Sequence, residues 1–240
     1  MATRGLRRGR RWPTLILLVW SVCVGLLWSA QPVTQVQAQH HEPQSRRPAD
    51  IKDYLEHLDR PERDQYQKPT QVIETLALKP GMAVADLGSG SGYFTRRFVE
   101  AVTERGKVYA VDVEPEMLAY AKDSVEHLPG PHAAEFILAR PDDSRLPLQS
   151  VDLIFVCNVF HHLDDRPTYF ARVRSALKPG GRIAIIDFYH DERSGEVGFP
   201  KDHLVPRERV IDEMTKARYT LVREHTFLPR QYFLEFSPAP

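Results

Sequence analysis

The sequence predicts a doubly wound α/β fold: a mostly parallel, seven-stranded sheet with an antiparallel last strand and helices on both faces. Three observations predict it. Short, nearly continuous apolar runs alternate with segments whose apolar residues recur at helical spacing. Runs that apolar cannot leave one face in water, which is the habit of parallel strands covered on both sides. The final two runs are separated only by Leu228-Pro229, too little chain for a crossover helix, so they pair as an antiparallel hairpin.

The elements follow in order. Val72, Ile73, Leu76 and Ala77 share a helical face, and Lys79-Pro80-Gly81 stops that helix. AVADL (83–87) is a short buried strand. Phe94, Phe98, Val99 and Val102 mark a helix ended by Gly106, and KVYAVD (107–112) is the next strand. Met117, Leu118, Ala121 and Val125 mark another helix, followed by strands EFILAR (135–140) and VDLIFVC (151–157). Phe170, Val173 and Leu177 mark a helix closed by Lys178-Pro179-Gly180-Gly181, and RIAIIDF (182–188) is a strand. Val210, Ile211 and Met214 sit on the last helix, before strands YTLVREHTF (219–227) and RQYFLEF (230–236). No internal repeat interrupts the pattern.

The N-terminus is a separate object. Arg4, Arg7, Arg8, Arg10 and Arg11 precede the uncharged run TLILLVWSVCVGLLWSA (14–30), and Val36 and Ala38 then stand at signal-peptidase spacing. That layout is a secretory signal, with cleavage expected after Ala38. An uncleaved anchor is the alternative, since about 17 apolar residues just span a bilayer. Either way the arginines stay inside and the domain lies outside. The expected division is 1–38 signal peptide or membrane anchor, 39–60 linker and N-terminal extension, and 61–240 globular domain. The expected location is exported, periplasmic or secreted, with membrane contact only through the N-terminal segment.

Lysine plus arginine equals aspartate plus glutamate, 32 each, so no basic excess invites nucleic acid as a partner. Cys23 and Cys157 are the two cysteines, too few for a disulfide framework or a cysteine–zinc cluster, and no metal site is expected.

The chemistry concentrates in VADLGSGSGYFT (84–95). In such sheets ligands bind beyond the carboxyl ends of the strands. Gly88, Gly90 and Gly92 let the backbone between the first strand and helix turn sharply and approach a ligand. The spacing is G-x-G-x-G, and Tyr93 stands where a dinucleotide loop has its third glycine. Asp86 lies just before the loop, where it would repel a pyrophosphate and suits an ammonium or sulfonium. Asp112 ends the second strand, twenty residues beyond Gly92, where a carboxylate accepts both ribose hydroxyls. An amino-acid end joined to a nucleoside describes S-adenosylmethionine.

VADLGSGSGYFT, VYAVDVEPEML, PDDSRLPLQSVDLIFVCNVFHHLDD and LKPGGRIAIIDF, in this order, resemble the motifs of class I S-adenosylmethionine-dependent methyltransferases of the small-molecule type, over about residues 66–236. The resemblance implies a Rossmann-like fold and methyl transfer by in-line displacement to a small-molecule acceptor. It implies cofactor contacts from Asp86, Gly88, Ser89, Gly90 and Gly92, and ribose contact from Asp112. Val113 and Met117 then pack near the adenine, one of Asp142 and Asp143 meets its amino group, and Asn158 meets the methionine part or caps its strand. The Asn-Pro-Pro-aromatic signature of nucleic-acid amino-methylating members is absent, since Asn158-Val159-Phe160-His161 stands there.

A general base is needed only for acceptors that carry a proton, and His161 and His162 are the candidates. Adjacent side chains point apart, so at most one of them faces the pocket. Tyr66-Gln67-Lys68-Pro69 and Tyr93 are expected near the cofactor mouth, and the long loop 189–206 is expected to act as a lid or substrate segment. Two alternatives remain at this point: an exported, non-catalytic nucleoside-binding module and a nicotinamide-dependent oxidoreductase. The glycine spacing opposes the second.

Overall fold

The computed structural model describes residues 51–197 and 201–240. The expected signal peptide or anchor and the linker up to residue 50 lie outside the described residues. Among the described residues no helix is long and apolar enough to cross a membrane.

Seven strands form one sheet in the order β3-β2-β1-β4-β5-β7-β6. They are β1 (Ala83–Leu87), β2 (Lys107–Asp112), β3 (Ala134–Leu138), β4 (Val151–Cys157), β5 (Leu177–Phe188), β6 (Tyr219–His225) and β7 (Gln231–Pro238). The first five pair in parallel, and β7 runs antiparallel to both β5 and β6. Consecutive strands β1 to β3 build outward one way, and β4 starts the other half beside β1. The crevice between β1 and β4 is therefore the switch point where such sheets bind ligands.

Helices α1 (Ile51–Leu58), α2 (Arg63–Gln67), α3 (Pro69–Leu76), α4 (Tyr93–Val102), α5 (Pro115–Glu126), α6 (Arg166–Val173) and α7 (Arg207–Lys216) surround the sheet. Proline opens α3 and α5, where a missing N–H costs nothing and the ring fixes a helical φ. Asp165 caps α6 by accepting the Thr168 N–H at 3.3 Å.

Alternation along each strand divides the core between the two faces. Ala85, Leu87, Ile154, Val156, Ile183 and Ile185 point to one side, with Phe160, Phe170, Tyr232 and Phe236. Val84, Leu153, Phe155, Ala184 and Ile186 point to the other, with Val72, Phe94, Phe98 and Phe233. Phe155 is fully buried there, 4.7 Å from the Phe94 ring and 5.1 Å from Phe98, both edge-on.

The predicted strands 83–87, 107–112 and 151–157 have their predicted bounds. Two expectations need correction. The helix marked by Phe170, Val173 and Leu177 ends at Val173, followed by a short 3-10 turn. Leu177 instead opens β5 and pairs with Val151, because the register shift between Val151 and Leu153 brings the Lys178-Pro179-Gly180-Gly181 segment into the strand. Helix α1 lies where the sequence offered only a linker and extension, and α2 is a helix at the start of the expected globular domain that the apolar spacing did not mark.

Candidate cofactor and active site

Asp86, the next-to-last residue of β1, lies inside the protein, 3% exposed. The Thr95 hydroxyl, one turn into α4, donates to its Oδ2 at 2.6 Å. Burial pushes the Asp86 carboxyl up to about 6, and the neighbouring Asp112 charge adds to that, while Thr95 and the Arg63 guanidinium oppose it. A buried acid in that state gains from an incoming cation.

The loop after Asp86 folds because its glycines adopt positive φ. Gly88, at φ +74°, has no room for a side chain: a Cβ would stand 2.3 Å from Val159 Cγ2. The Gly88 and Ser89 amides both donate to the Val111 carbonyl, at 2.7 and 3.0 Å, which ties the loop to β2. The Gly90 amide donates to Asp112 Oδ2 at 2.8 Å, and the Glu114 amide to Oδ1 at 3.1 Å. Asp112 is held, side chain outward from its strand, by the same loop that covers Asp86. Burial also raises its carboxyl above the usual range. The same glycine loop thus holds Asp112 and covers Asp86 at the carboxyl ends of β1 and β2, the end of the sheet where the ligand cleft is expected.

Two polar atoms on residues bordering this cleft are buried without a partner among the described residues, Ser89 Oγ and Arg63 Nε. Each is a hydrogen-bonding group of the kind that native interiors satisfy, with a ligand if not with protein. Val113 at the end of β2 is 47% exposed and Met117 below it is buried, giving an apolar shelf beside Asp112. Bare backbone, an orphaned hydroxyl, paired acids and this shelf fit an amino-acid nucleoside.

Asp142 and Asp143 lie farther out. Both are exposed; Arg172 pairs with Asp142 at 3.2 Å, and Asp143 Oδ1 accepts the Arg145 amide at 2.9 Å. They line a surface groove with Tyr169 and Arg172. Asn158 has φ +58°, and its side chain joins a part-buried amide network. Its Nδ2 donates to Gln67 Oε1 at 3.4 Å, and its Oδ1 accepts from Gln231 Nε2 at 2.5 Å. Gln67 Nε2 donates in turn to Gln231 Oε1 at 3.0 Å and to Cys157 Sγ at 3.2 Å. Burial pushes the Cys157 thiol up to about 12, so it stays protonated.

Of the two adjacent histidines, His161 is buried and His162 exposed. His161 Nδ1 lies 2.8 and 2.9 Å from the two carboxylate oxygens of Asp187, at the end of β5. Asp187 is fully buried and also accepts the amides of His161 (3.2 Å) and Phe188 (2.8 Å). A carboxylate at Nδ1 requires the proton there, which leaves Nε2 as the basic nitrogen of a neutral ring.

Besides Asp187, the residues that sequence reasoning missed lie on α2 and between α1 and α2. Asp59 accepts the Ser91 hydroxyl at 2.7 Å and pairs with Arg96 at 2.9 Å. Asp64 accepts the Tyr93 hydroxyl and lies 3.6 Å from Arg97. Arg63 stacks over the Tyr93 ring, its guanidinium carbon 3.9 Å from the centroid, while Arg97 covers the ring at 4.1 Å. Tyr93 is thereby buried under the segment rather than left at the mouth. Tyr66 does stay half-exposed, 5.9 Å from Phe188.

Fold and cleft together resemble those of class I S-adenosylmethionine-dependent methyltransferases, and the residues present fit S-adenosylmethionine as the cofactor. Residues 85–183 match the family model of the methyltransferase domain. The chain is 27% identical over 116 residues, 48% of its length, to a ubiquinone/menaquinone biosynthesis C-methyltransferase, UbiE, of Shewanella frigidimarina. It is 26% identical over 152 residues to the UbiE of Vibrio vulnificus, covering 61% of this chain and 58% of the relative. It spans about half the length of these curated relatives, 46% for the Shewanella protein. A SAM-dependent methyltransferase structure from Aquifex aeolicus superposes with a TM-score of 0.72 at 29% identity, over 79% of this chain and 98% of that one. A methyltransferase structure from Mesorhizobium loti shares the fold, with a TM-score of 0.56 at 18% identity over 69% and 95% of the two chains. The nicotinamide alternative finds no counterpart among these relatives.

Proposed function

We propose that the protein methylates a small-molecule acceptor bound at the carboxyl ends of β4 and β5, with His161 as general base for acceptors that carry a proton. The observation that carries the cofactor half is the Gly90 amide on Asp112, with Asp86 buried behind the same loop. Bound S-adenosylmethionine supplies a methyl group already activated on a sulfonium sulfur. Asp86 would receive the ammonium, Asp112 the ribose hydroxyls, and Ser89 Oγ a polar group of the ligand. The protein's remaining task is to hold the acceptor in line and dry. His161 Nε2 would take the acceptor's proton as the acceptor–methyl bond forms and the sulfur–methyl bond breaks, leaving a neutral thioether on the cofactor, while Asp187 fixes the tautomer and stabilises the imidazolium.

The matched relatives act in ubiquinone and menaquinone biosynthesis, so hydroquinones and phenols lead the acceptor panel. Thiols and amines follow. The leader supports an exported location. Production of S-adenosylhomocysteine with one acceptor class, abolished in Asp86→Ala, is the expected result. Cofactor binding without turnover over the whole panel would favour the non-catalytic binding module.

A further inference from the structure

At the carboxyl end of β5, three side chains form a wall that no cofactor contact uses. Phe188, the last residue of β5, is buried, and the half-exposed Tyr66 ring from α2 lies against it, centroids 5.9 Å apart and tilted by 40°. Arg230, the residue before β7, stands over the Tyr66 ring with its guanidinium carbon 5.2 Å from the centroid. The backbone fixes all three beside the candidate base. Phe188 follows Asp187, the partner of His161, and pairs with Gln231 across the sheet. The Tyr189 amide donates to the Arg230 carbonyl at 3.1 Å. Tyr66 precedes Gln67, whose carboxamide reaches Gln231 and Cys157, the latter at the end of β4. Burial raises the Tyr66 hydroxyl above its usual range, so that ring adds no charge.

The charge of this wall is that of Arg230. Its guanidinium is half-buried and has no acid partner among the described residues, whereas Arg193 on the following loop is taken by Asp191 at 2.6 Å. That loop meets Arg230 with bare backbone: a Cβ on Gly195, at φ +67°, would stand 3.3 Å from Arg230 Cζ. A guanidinium resting on a ring and short of an acid keeps its N–H donors for an anion, and its planar fork matches a carboxylate. A flat aromatic molecule gains most from a wall of two rings. Resting on the methyl-transfer reading above, we infer that the acceptor is a phenol bearing a carboxylate, with its ring against Tyr66 and Phe188 and its carboxylate on Arg230. The phenol oxygen then takes the methyl group as the sulfur–methyl bond breaks, and its proton goes to His161 Nε2. Tyr66, Phe188 and Arg230 all lie outside residues 85–183, the part matched by the family model.

The test sets each phenol acid against its neutral amide: meta- and para-hydroxybenzoate against meta- and para-hydroxybenzamide. Release of S-adenosylhomocysteine by the full chain gives the kinetics. Wild type should favour the acid of each pair by about 10- to 100-fold in kcat/KM, the order of magnitude of one charge-assisted contact. Arg230→Gln should lose that preference through a raised KM for the acid, since the contact is the same before and during methyl transfer. Arg230→Lys keeps the charge without the fork, should retain part of the preference, and carries the comparison if Arg230→Gln does not fold. Equal turnover of acid and amide by wild type, or an equal loss of both in Arg230→Gln, would overturn the inference and leave methyl transfer standing. Methylation confined to acceptors without a carboxylate, phenols or not, would overturn it in the same way. If S-adenosylmethionine binds and no acceptor of the whole panel is methylated, the methyl-transfer reading itself fails, and this inference with it.

Discussion

Asp86→Asn should stabilise the ligand-free protein while disabling it. Burial pushes the Asp86 carboxyl up to about 6, against about 3.8 for an ordinary aspartate. The native state therefore binds this proton more readily than the unfolded chain. Stability from the group is fully present below about pH 3.8, declines as pH rises, and is lost once pH passes about 6. A shift of this size corresponds to about 3 kcal/mol as an upper value. Asparagine mimics the protonated form and can still accept the Thr95 hydroxyl bond that Asp86 Oδ2 now accepts. Wild type and variant should unfold alike near pH 4. At pH 8 the variant should be more stable by up to about 3 kcal/mol, or about 6–12 °C in melting temperature for a domain of this size. Urea and thermal melts across pH 4–8 measure the gap. S-adenosylhomocysteine, which carries the same ammonium, should narrow it by stabilising wild type alone. A gap independent of pH, or a variant that binds the nucleoside as tightly as wild type, would refute the reasoning.

Gly88→Ala should cost about 1–3 kcal/mol from overpacking against Val159 and positive φ, with Val159→Ala recovering part of the loss in urea melts. His161→Asn and Asp187→Asn should each lower kcat by about 10²- to 10⁴-fold with phenolic or thiol acceptors while leaving S-adenosylhomocysteine affinity within a few-fold. A kcat unchanged in both would remove the base from the mechanism. Phe155→Ala, between Phe94 and Phe98, should destabilise by about 3–5 kcal/mol without a specific effect on ligand preference.

The sheet was legible because its strands are local objects. AVADL, KVYAVD and VDLIFVC each carry their own apolar signature, and each occupies its predicted range. The Asp86 loop and Asp112 were legible for the same reason, since one short stretch and one strand end contain them. Leu177 misled because it sits at helical spacing from Phe170 and Val173, while its partner, Val151, lies on another strand. Asp187 is separated from His161 by 26 residues and reads in sequence as one polar residue in an apolar run. The extension DRPERDQYQ has no apolar period at all; its charges acquire meaning only when α4 offers Arg96 and Arg97 opposite them.

The Gln67–Asn158–Gln231 carboxamides join three distant parts of the chain, and none of them can gain or lose a proton in water. The outer fastenings at Asp59 and Asp64 are ionic and half-wet, so dissolved salt weakens them first. The extension is thus rooted by neutral amides at one end and clasped by charge at the other. Raising ionic strength should loosen residues 51–66 as a flap while its root at Gln67 stays seated, giving the bound nucleoside an exit that leaves the sheet intact.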